Sequence, residues 1–193
     1  MKNIHSQETG RSMVEMLGVL AIVGVLSVGG IAGYSQAMSK FKVTKAMDQV
    51  QTIIQNIRTL YASQRKYTKI LPTQAQAMGI LTEESIEGSQ GLNPFGGEIK
   101  FDVGSSAGND RSFTLTYTQL TGEACVKMAT ADWGADQSSG LLSISVGNGT
   151  GDGIKYTWKD SGIAGGGNLP VPVDQAALNC GTKQDGFVTW EYR

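Results

Sequence analysis

The sequence predicts an α+β fold in which one long N-terminal α-helix packs on a C-terminal antiparallel β-sheet. Residues 13–33 form an apolar run with a single charge, and no proline or glycine interrupts the chain from Tyr34 to Leu71. Beyond Pro72, several segments alternate apolar and polar residues, as strands with one buried face do. Glycine supplies 26 of the 193 residues, against a usual share of about 7%. This excess favours turn-rich β structure over a helical bundle.

The apolar run at residues 13–33 is long enough to cross a membrane. As a helix, its roughly 21 residues span about 31 Å, the thickness of the hydrocarbon core of a bilayer. A cleaved secretory signal has a shorter apolar region followed by a small-residue cleavage site, whereas residues 34–38 continue into more helix. We therefore expect a membrane anchor over residues 11–38.

The second half of the long helix is amphipathic. A single helix is predicted from Arg11 to Lys66, about 84 Å long. A coiled coil is the alternative, but the apolar stripe lasts less than three heptads and lacks alternating charges beside it. The residues of this apolar stripe are spaced three and four positions apart, as on one face of a helix: Val43, Ala46, Met47, Val50, Ile53, Ile54, Ile57, Leu60 and Tyr61.

The remaining chain is predicted to form short helices and about five strands. Thr73 is expected to cap a helix through Met78, Thr121 to begin a second, and Asp174 to cap a third through Leu178. Residues 84–97 are rich in glycine and are interpreted as a connecting loop. The predicted strands are residues 98–103, 112–118, 141–146, 154–158 and 187–192.

Charge and composition exclude several functions. The net charge is -1, so the sequence predicts no nucleic-acid partner. The charge is nevertheless divided, because residues 11–80 hold 8 basic and 2 acidic residues while residues 81–193 hold 7 and 14. His5 is the one histidine in the sequence. We therefore predict no enzyme, no metal site and no cofactor, because most metal and acid–base chemistry needs histidine or clustered ligands.

Two glycine-rich segments and three tryptophans receive structural interpretations. Residues 147–153 lie between two predicted strands and contain one carboxylate, so a hairpin turn is favoured over a metal or phosphate loop. Residues 165–167 lack the helix and lysine that follow a phosphate-binding loop. Trp133, Trp158 and Trp190 are expected to be core aromatics and not a ligand platform.

Cys125 and Cys180 could be free thiols or a disulfide. Two cysteines cannot supply four zinc ligands without histidines, and their separation is too large for a CxxC redox pair. If this part of the chain lies outside the cytoplasm, oxidation is expected. The bridge would close a loop of about 55 residues and disfavour the unfolded chain by roughly 4 kcal/mol.

Residues 10–15 resemble the cleavage and methylation signature of type IV prepilins. The segment Gly10-Arg-Ser-Met-Val-Glu15 follows a short polar leader and directly precedes the apolar run. In that family, a prepilin peptidase cuts after the glycine and usually N-methylates the new first residue, and a glutamate occupies the fifth mature position. The resemblance implies a leader at residues 1–10, cleavage between Gly10 and Arg11, and methylation at Arg11. Family members more often have phenylalanine or another apolar residue at that position.

The resemblance also implies roles for residues within the anchor. Glu15 would compensate the terminal ammonium of a neighbouring subunit, so that a charge pair enters the apolar filament core together. Gly29, Gly30 and Gly33 each lower helix propensity by roughly 1 kcal/mol relative to alanine, which predicts a softened helix. Close helix–helix packing is the alternative explanation for these glycines.

The implied protein is a type IV pilin with the pilin fold, whose head comprises residues 39–193 and whose Cys125–Cys180 disulfide ties the C-terminal region. Its glycine-rich helix without proline and its wide disulfide loop resemble the type IVb branch. Such a subunit is a homo-oligomer that polymerises into a surface filament for adhesion, aggregation or motility. Its partners are the prepilin peptidase and the inner-membrane assembly machinery, and its receptor is not evident from the sequence.

The resemblance also implies a location. The subunit would cross the bacterial inner membrane once, N-terminus inside, before it enters the extracellular pilus. Charge alone favours the opposite orientation, because Lys2 and Arg11 precede the span while Lys40, Lys42 and Lys45 follow it. A type II secretion pseudopilin and a membrane-anchored binding domain that does not polymerise remain alternative functions.

The intact mass of the purified mature protein tests the leader and the disulfide together. We expect mass spectrometry to show loss of residues 1–10, two hydrogens fewer than the reduced chain, and one added methyl group if Arg11 is modified. A mass equal to that of the uncut chain would contradict the prepilin interpretation.

Overall fold

The computed structural model describes residues 11–64, 66–134, 136–149, 151, 153–159 and 161–193. Two compact units divide the chain, one ending at Phe41 and the other covering Lys42–Arg193. The helices are α1 (Arg11–Tyr61), α2 (Pro72–Ala77), α3 (Gly122–Thr130) and α4 (Val173–Cys180). The strands are β1 (Ile86–Glu87), β2 (Gln90–Leu92), β3 (Glu98–Val103), β4 (Phe113–Leu120), β5 (Leu141–Asn148), β6 (Ile154–Thr157), β7 (Gly167–Asn168) and β8 (Gly186–Tyr192).

The described strands form one sheet in the order β1-β2-β3-β4-β8-β5-β6-β7. The last strand along the chain therefore lies in the centre, antiparallel to both β4 and β5. Opposite β8, the register places Leu115 of β4 and Ile144 of β5 beside Trp190. All neighbouring strands are antiparallel except β6 and β7, which pair in parallel. The predicted α+β architecture is confirmed, with a mostly antiparallel sheet.

Within the second unit, one face of α1 belongs to the same hydrophobic core as the sheet. Its buried members follow the predicted spacing of three and four: Val43, Ala46, Val50, Ile53, Ile54, Ile57 and Tyr61. The sheet contributes Leu115, Tyr117 and Trp190, each fully buried. The Tyr117 hydroxyl donates a hydrogen bond to Gln49 Oε1 at 2.8 Å, so the helix also meets the sheet through a polar contact.

Helix α1 ends at Tyr61 and not at Lys66, where the sequence predicts its end. The apolar stripe ends at Tyr61, and a turn follows in which the Gln64 N–H donates to the Tyr61 carbonyl at 2.9 Å. The chain then reverses, so that the rings of Tyr67 and Tyr61 lie 5.1 Å apart. The helix ends early because continuing it would carry polar residues past the core and lose this aromatic contact.

Two of the short helices begin elsewhere than predicted. Leu71 and not Thr73 is the N-cap of α2, and its backbone N–H donates to the Gln74 side chain at 3.0 Å. Pro172 precedes α4, while Asp174 lies in its first turn and the helix continues to Cys180. Thr121 does cap α3 as predicted, accepting a hydrogen bond from the Ala124 N–H at 3.3 Å.

The prediction of about five strands was too low, because eight strands occur among the described residues. Residues 84–97, interpreted from sequence as a loop, contain β1 and β2. The glycine-rich segment at 165–167 ends in the short strand β7. These three strands have only two or three residues each, so no alternating pattern can reveal them. The long predicted strands occur with boundaries shifted by at most two residues.

A buried carboxylate fixes a loop over the face of the sheet that points away from the core. Glu191 on β8 has a side chain that is 3% exposed and lies 3.0 Å from Lys155 Nζ. It accepts hydrogen bonds from the Ser106 N–H at 2.6 Å, from Ser112 Oγ at 2.8 Å and from Ser143 Oγ at 3.1 Å. The Ser106 hydroxyl donates to the same carboxylate. These contacts join the β3–β4 loop, residues 104–112, to strands β5, β6 and β8.

Hydrogen bonding decides the ionisation of Glu191. Burial by itself would raise the pKa of this carboxyl, but the hydrogen bonds from Ser106 and Ser112 and the ammonium of Lys155 lower it by more. The carboxylate is therefore more stable in the folded protein than in the unfolded chain. The resulting stabilisation is complete above the ordinary glutamate pKa of about 4.3 and is lost as the pH falls from there through the lowered pKa.

We predict that Glu191→Gln lowers the free energy of unfolding by roughly 3 kcal/mol near neutral pH, since it breaks a buried ion pair while leaving Lys155 in place. Denaturant unfolding of the full chain in detergent measures this change. The difference between wild type and variant should shrink in acid, because wild-type Glu191 is then protonated as well.

Glu98→Gln is the matched control, because Glu98 forms an ion pair with Lys100 at 3.2 Å in which the side chains are 39% and 51% exposed. Exposed pairs contribute less than about 1 kcal/mol. Equal losses in the two variants would contradict the assignment of the cluster as a stabilising element.

Candidate assembly site

Residues 13–37 of α1 present an apolar surface on every side of the helix. All of them are exposed within the chain, and thirteen large apolar side chains between Met13 and Tyr34 are each at least 51% exposed. Of the helices the structure describes, α1 alone is long and apolar enough to cross a membrane. A surface of this size and polarity requires a nonaqueous partner, either lipid or other apolar helices.

Glu15 is the single acidic residue between Arg11 and Met47. It lies in the second turn of α1, with apolar residues before and after it. A carboxylate inside such a segment costs roughly 2.5–3.5 kcal/mol to place at the centre of a membrane. Its location therefore suits a pairing role with a cation from another molecule. That role stays a prediction. Cleavage between Gly10 and Arg11 also stays a prediction, because Gly10 and the side chain of Arg11 lie outside the described residues.

Gly29, Gly30 and Gly33 lie inside α1, which continues as helix through all three. A Cβ built at any of them would meet no other atom within 4 Å. Packing inside the chain therefore does not require glycine at these positions. Two explanations from the sequence stay open, namely a softened helix and close approach by another helix.

The predicted disulfide is present between Cys125 on α3 and Cys180 at the end of α4, with Cα atoms 5.8 Å apart. Both cysteines are fully buried. The bridge lies beside the start of β8, where a Cβ on Gly186 would come within 3.0 Å of the Cys125 Cβ and 3.1 Å of the Leu120 carbonyl oxygen. Glycine at this position lets the central strand pass next to the bridge.

The tryptophans also lie where the sequence predicts, in or against the core. Trp190 is fully buried, and its ring meets that of Trp133 edge-on at 5.0 Å between centroids. Trp158 is partly buried and donates from its indole N–H to the Leu141 carbonyl at 2.8 Å. Among the described residues, no group of three or more His, Cys, Asp or Glu side chains is placed to hold a metal ion.

The Glu191 cluster was not predicted from the sequence. Its donors Ser106, Ser112, Ser143 and Lys155 are separated from Glu191 by 36 to 85 positions. The available signal is the position of Glu191 between Trp190 and Tyr192 on the last strand. A carboxylate between two aromatic residues in a strand faces the opposite side of the sheet, which indicates a polar partner there.

Two solved structures have the same fold. The crystal structure of type IV b pilin from Salmonella typhi is similar with a TM-score of 0.54 and 19% identity, covering 77% of this chain and 97% of that one. The structure of TcpA, a type IV pilin from Vibrio cholerae El Tor biotype, gives a TM-score of 0.52 and 17% identity over 79% and 99% of the two chains. The long helix with its disulfide-bonded sheet therefore defines a pilin of type IVb-like fold.

Sequence relatives identify the family. The chain belongs to the PilS family, because the family model described as PilS N terminal matches residues 40–190. The major structural subunit of bundle-forming pilus from Escherichia coli O111:H- is 28% identical over 144 residues, which cover 73% of this chain and 74% of the relative. Toxin coregulated pilin from Vibrio cholerae serotype O1 is 24% identical over 139 residues, covering 68% and 62%.

Removing the disulfide should destabilise the second unit strongly. We predict that the double variant Cys125→Ser with Cys180→Ser loses about 4 kcal/mol of unfolding free energy, because the unfolded chain regains the freedom of a long loop. Denaturant titration with circular dichroism measures the loss. Reductant should lower the stability of the wild type by a similar amount and leave the double variant unchanged. Identical midpoints for oxidised and reduced wild type would contradict the prediction.

Proposed function

We propose that this chain is the structural subunit of a type IV pilus, which polymerises through its N-terminal helix into a surface filament. The observation that carries the proposal is the exposed apolar segment at residues 13–37, on the same helix that packs against a disulfide-bonded sheet. The relatives support it, since one is named as the major structural subunit of bundle-forming pilus and another as toxin coregulated pilin. The proposed activity is assembly and not catalysis.

Burial of the apolar segment favours both the membrane and the filament over a subunit in water. A fully buried large aliphatic side chain contributes roughly 1.5–3 kcal/mol relative to an exposed one in water. In the membrane those side chains are already away from water. The filament therefore differs from the lipid phase in the packing between helices and in the ionic partner of Glu15. Glu15 would accept the terminal ammonium of a neighbouring subunit, and neither charge would then be buried alone.

We propose a maturation pathway before assembly. Prepilin peptidase would remove residues 1–10 by cutting between Gly10 and Arg11, and would methylate Arg11. The subunit would then wait in the inner membrane, with its N-terminus inside and residues 39–193 outside. Inner-membrane assembly machinery would extract it into the growing pilus. The motif at residues 10–15 and the buried disulfide, which suits an oxidising compartment, support this order.

The relatives favour a pilus over the two alternatives from the sequence. Those described above are named as a pilus subunit and a pilin, and neither is named as a pseudopilin or an anchored binding domain. An anchored domain would also need no carboxylate at residue 15, because a plain apolar helix is sufficient for anchoring. The proposed filament would serve adhesion, aggregation or motility.

Glu15→Ala tests the proposed pairing in cells. We predict that cleavage after Gly10 continues but that filament yield, counted by electron microscopy, falls strongly, since each contact between subunits loses about 3 kcal/mol when its buried ammonium has no partner. Glu84→Ala is the control, because this exposed carboxylate lies 3.8 Å from Lys45 in the second unit and should leave the yield unchanged. Normal filaments from Glu15→Ala would refute the pairing.

A further inference from the structure

Three arginines line one pocket of the second unit. Arg58 lies in the last turn of α1, Arg111 at the end of the β3–β4 loop, and Arg193 directly after β8. The pocket has a volume of about 480 Å³, and its other lining residues are Tyr61, Ala62, Gln64 and Tyr67. No lining residue has an acidic side chain. Three chain segments that are distant in sequence therefore each contribute an arginine to one pocket.

These arginines are not used in ion pairs within the described part of the chain. Ion pairs there are formed by Lys45, Lys66, Lys69, Lys100, Lys127 and Lys155. Asp110, the neighbour of Arg111, is paired with Lys66 at 3.5 Å. The planar guanidinium group is the side-chain cation best suited to binding two oxygens of a carboxylate or phosphate at once. None of the three pocket arginines therefore forms an ion pair with an internal carboxylate in the described part of the chain.

A glycine turn holds two of the arginines in place. Arg58 Nη1 donates to the Ser139 carbonyl at 2.9 Å, and the Arg193 backbone N–H donates to the Gly140 carbonyl at 2.8 Å. Gly140 has a φ of +88°, and a Cβ there would lie 3.0 Å from Arg58 Nη2. The turn thus requires glycine for its conformation and for the close approach of Arg58. Since a guanidinium has five N–H donors, Arg58 keeps donors for a ligand.

Aromatic rings form the floor between the arginines. Tyr61 is 7% exposed, and the Tyr67 ring packs 5.1 Å from it. The Tyr67 N–H donates to the Asp110 carbonyl at 2.7 Å, which fixes the loop segment carrying Arg111. Burial raises the pKa of Tyr67 more than the charge of Arg58 lowers it, so the phenol is neutral at physiological pH and can donate a hydrogen bond.

We propose that this pocket binds an oxyanion, namely the carboxylate, sulfate or phosphate group of a ligand from outside the chain. The volume is within the range of about 300–1,000 Å³ typical of small-molecule sites. The second unit, Lys42–Arg193, holds 15 acidic and 13 basic residues, so the pocket is a local positive site on a unit whose total charge is nearly neutral. An inorganic anion and an acidic sugar both present this chemistry. The inference is independent of filament assembly.

Calorimetric titration of the full chain in detergent tests the pocket, with sulfate, phosphate and glucuronate as probes and chloride holding the ionic strength constant. We expect saturable binding that weakens roughly tenfold in Arg111→Gln, because one charge-assisted contact is lost. Tighter binding of glucuronate than of the inorganic ions would identify an acidic sugar as the source of the anion, and the reverse order an inorganic anion.

Lys183→Gln is the matched control, because it also removes one exposed positive charge. Lys183 precedes the start of β8, whereas Arg193 of the pocket follows the opposite end of that strand. Its affinity should stay within about twofold of wild type, because distant surface charges are screened by salt. Arg58→Lys keeps the charge but not the planar fork, so it should also weaken binding. Circular dichroism verifies that each variant is folded.

Three results would overturn the proposal. The first is equal affinity in wild type and Arg111→Gln, and the second is an equal loss in Lys183→Gln, which would indicate a general charge effect. The third is the absence of saturable binding with every probe. If Arg111→Gln then also alters the sedimentation of the full chain, the pocket is a contact between copies of this chain and not a site for a small oxyanion.

Discussion

The central position of β8 is the constraint on which the second unit depends. This strand is the last along the chain, yet it joins β4 to β5, so the two halves of the sheet are not connected until it is in place. Pairing between distant segments must overcome loop-closure entropy before its contacts stabilise the fold. Interactions at both ends of β8 help to offset this entropy cost. The disulfide lies beside Gly186 at one end, and Glu191 collects five hydrogen-bond donors at the other.

The same strand also explains why the two halves of α1 differ. Val188, Trp190 and Tyr192 of β8 belong to the core that contains the apolar face of the helix from Val43 to Tyr61. That half needs only one apolar face, and mostly uncharged polar residues occupy the rest of its surface. Residues 13–37 have no such core within the chain and are apolar all round. The change in periodicity along one helix therefore marks a change from packing within the subunit to packing with something else.

Local patterns predicted the elements that are long, and tertiary contacts determined the rest. The amphipathic stripe of α1, the cap at Thr121 and strand β3 were predictable because period and capping are properties of neighbouring residues. The end of α1 was not, because the contact of Tyr67 with Tyr61 decides it. The Glu191 cluster and the arginine pocket depend on residues brought together by β8 and the β3–β4 loop. The disulfide could be expected only through the resemblance and the oxidising compartment it implies.

The charged residues of the second unit do not supply the attraction between subunits; they only modify it. The exposed lysine pairs contribute less than about 1 kcal/mol each, so they do not account for the stability of the fold. Three of these pairs join Lys45, Lys66 and Lys69 to acidic residues of 81–193, and the whole second unit holds 13 basic and 15 acidic residues, so its net charge supplies no strong attraction between copies. A subunit with this charge can assemble only if another region supplies the attraction. In the proposed filament that region is the apolar half of α1, where we predict that compensation of Glu15 by a cation determines whether the helices can pack together.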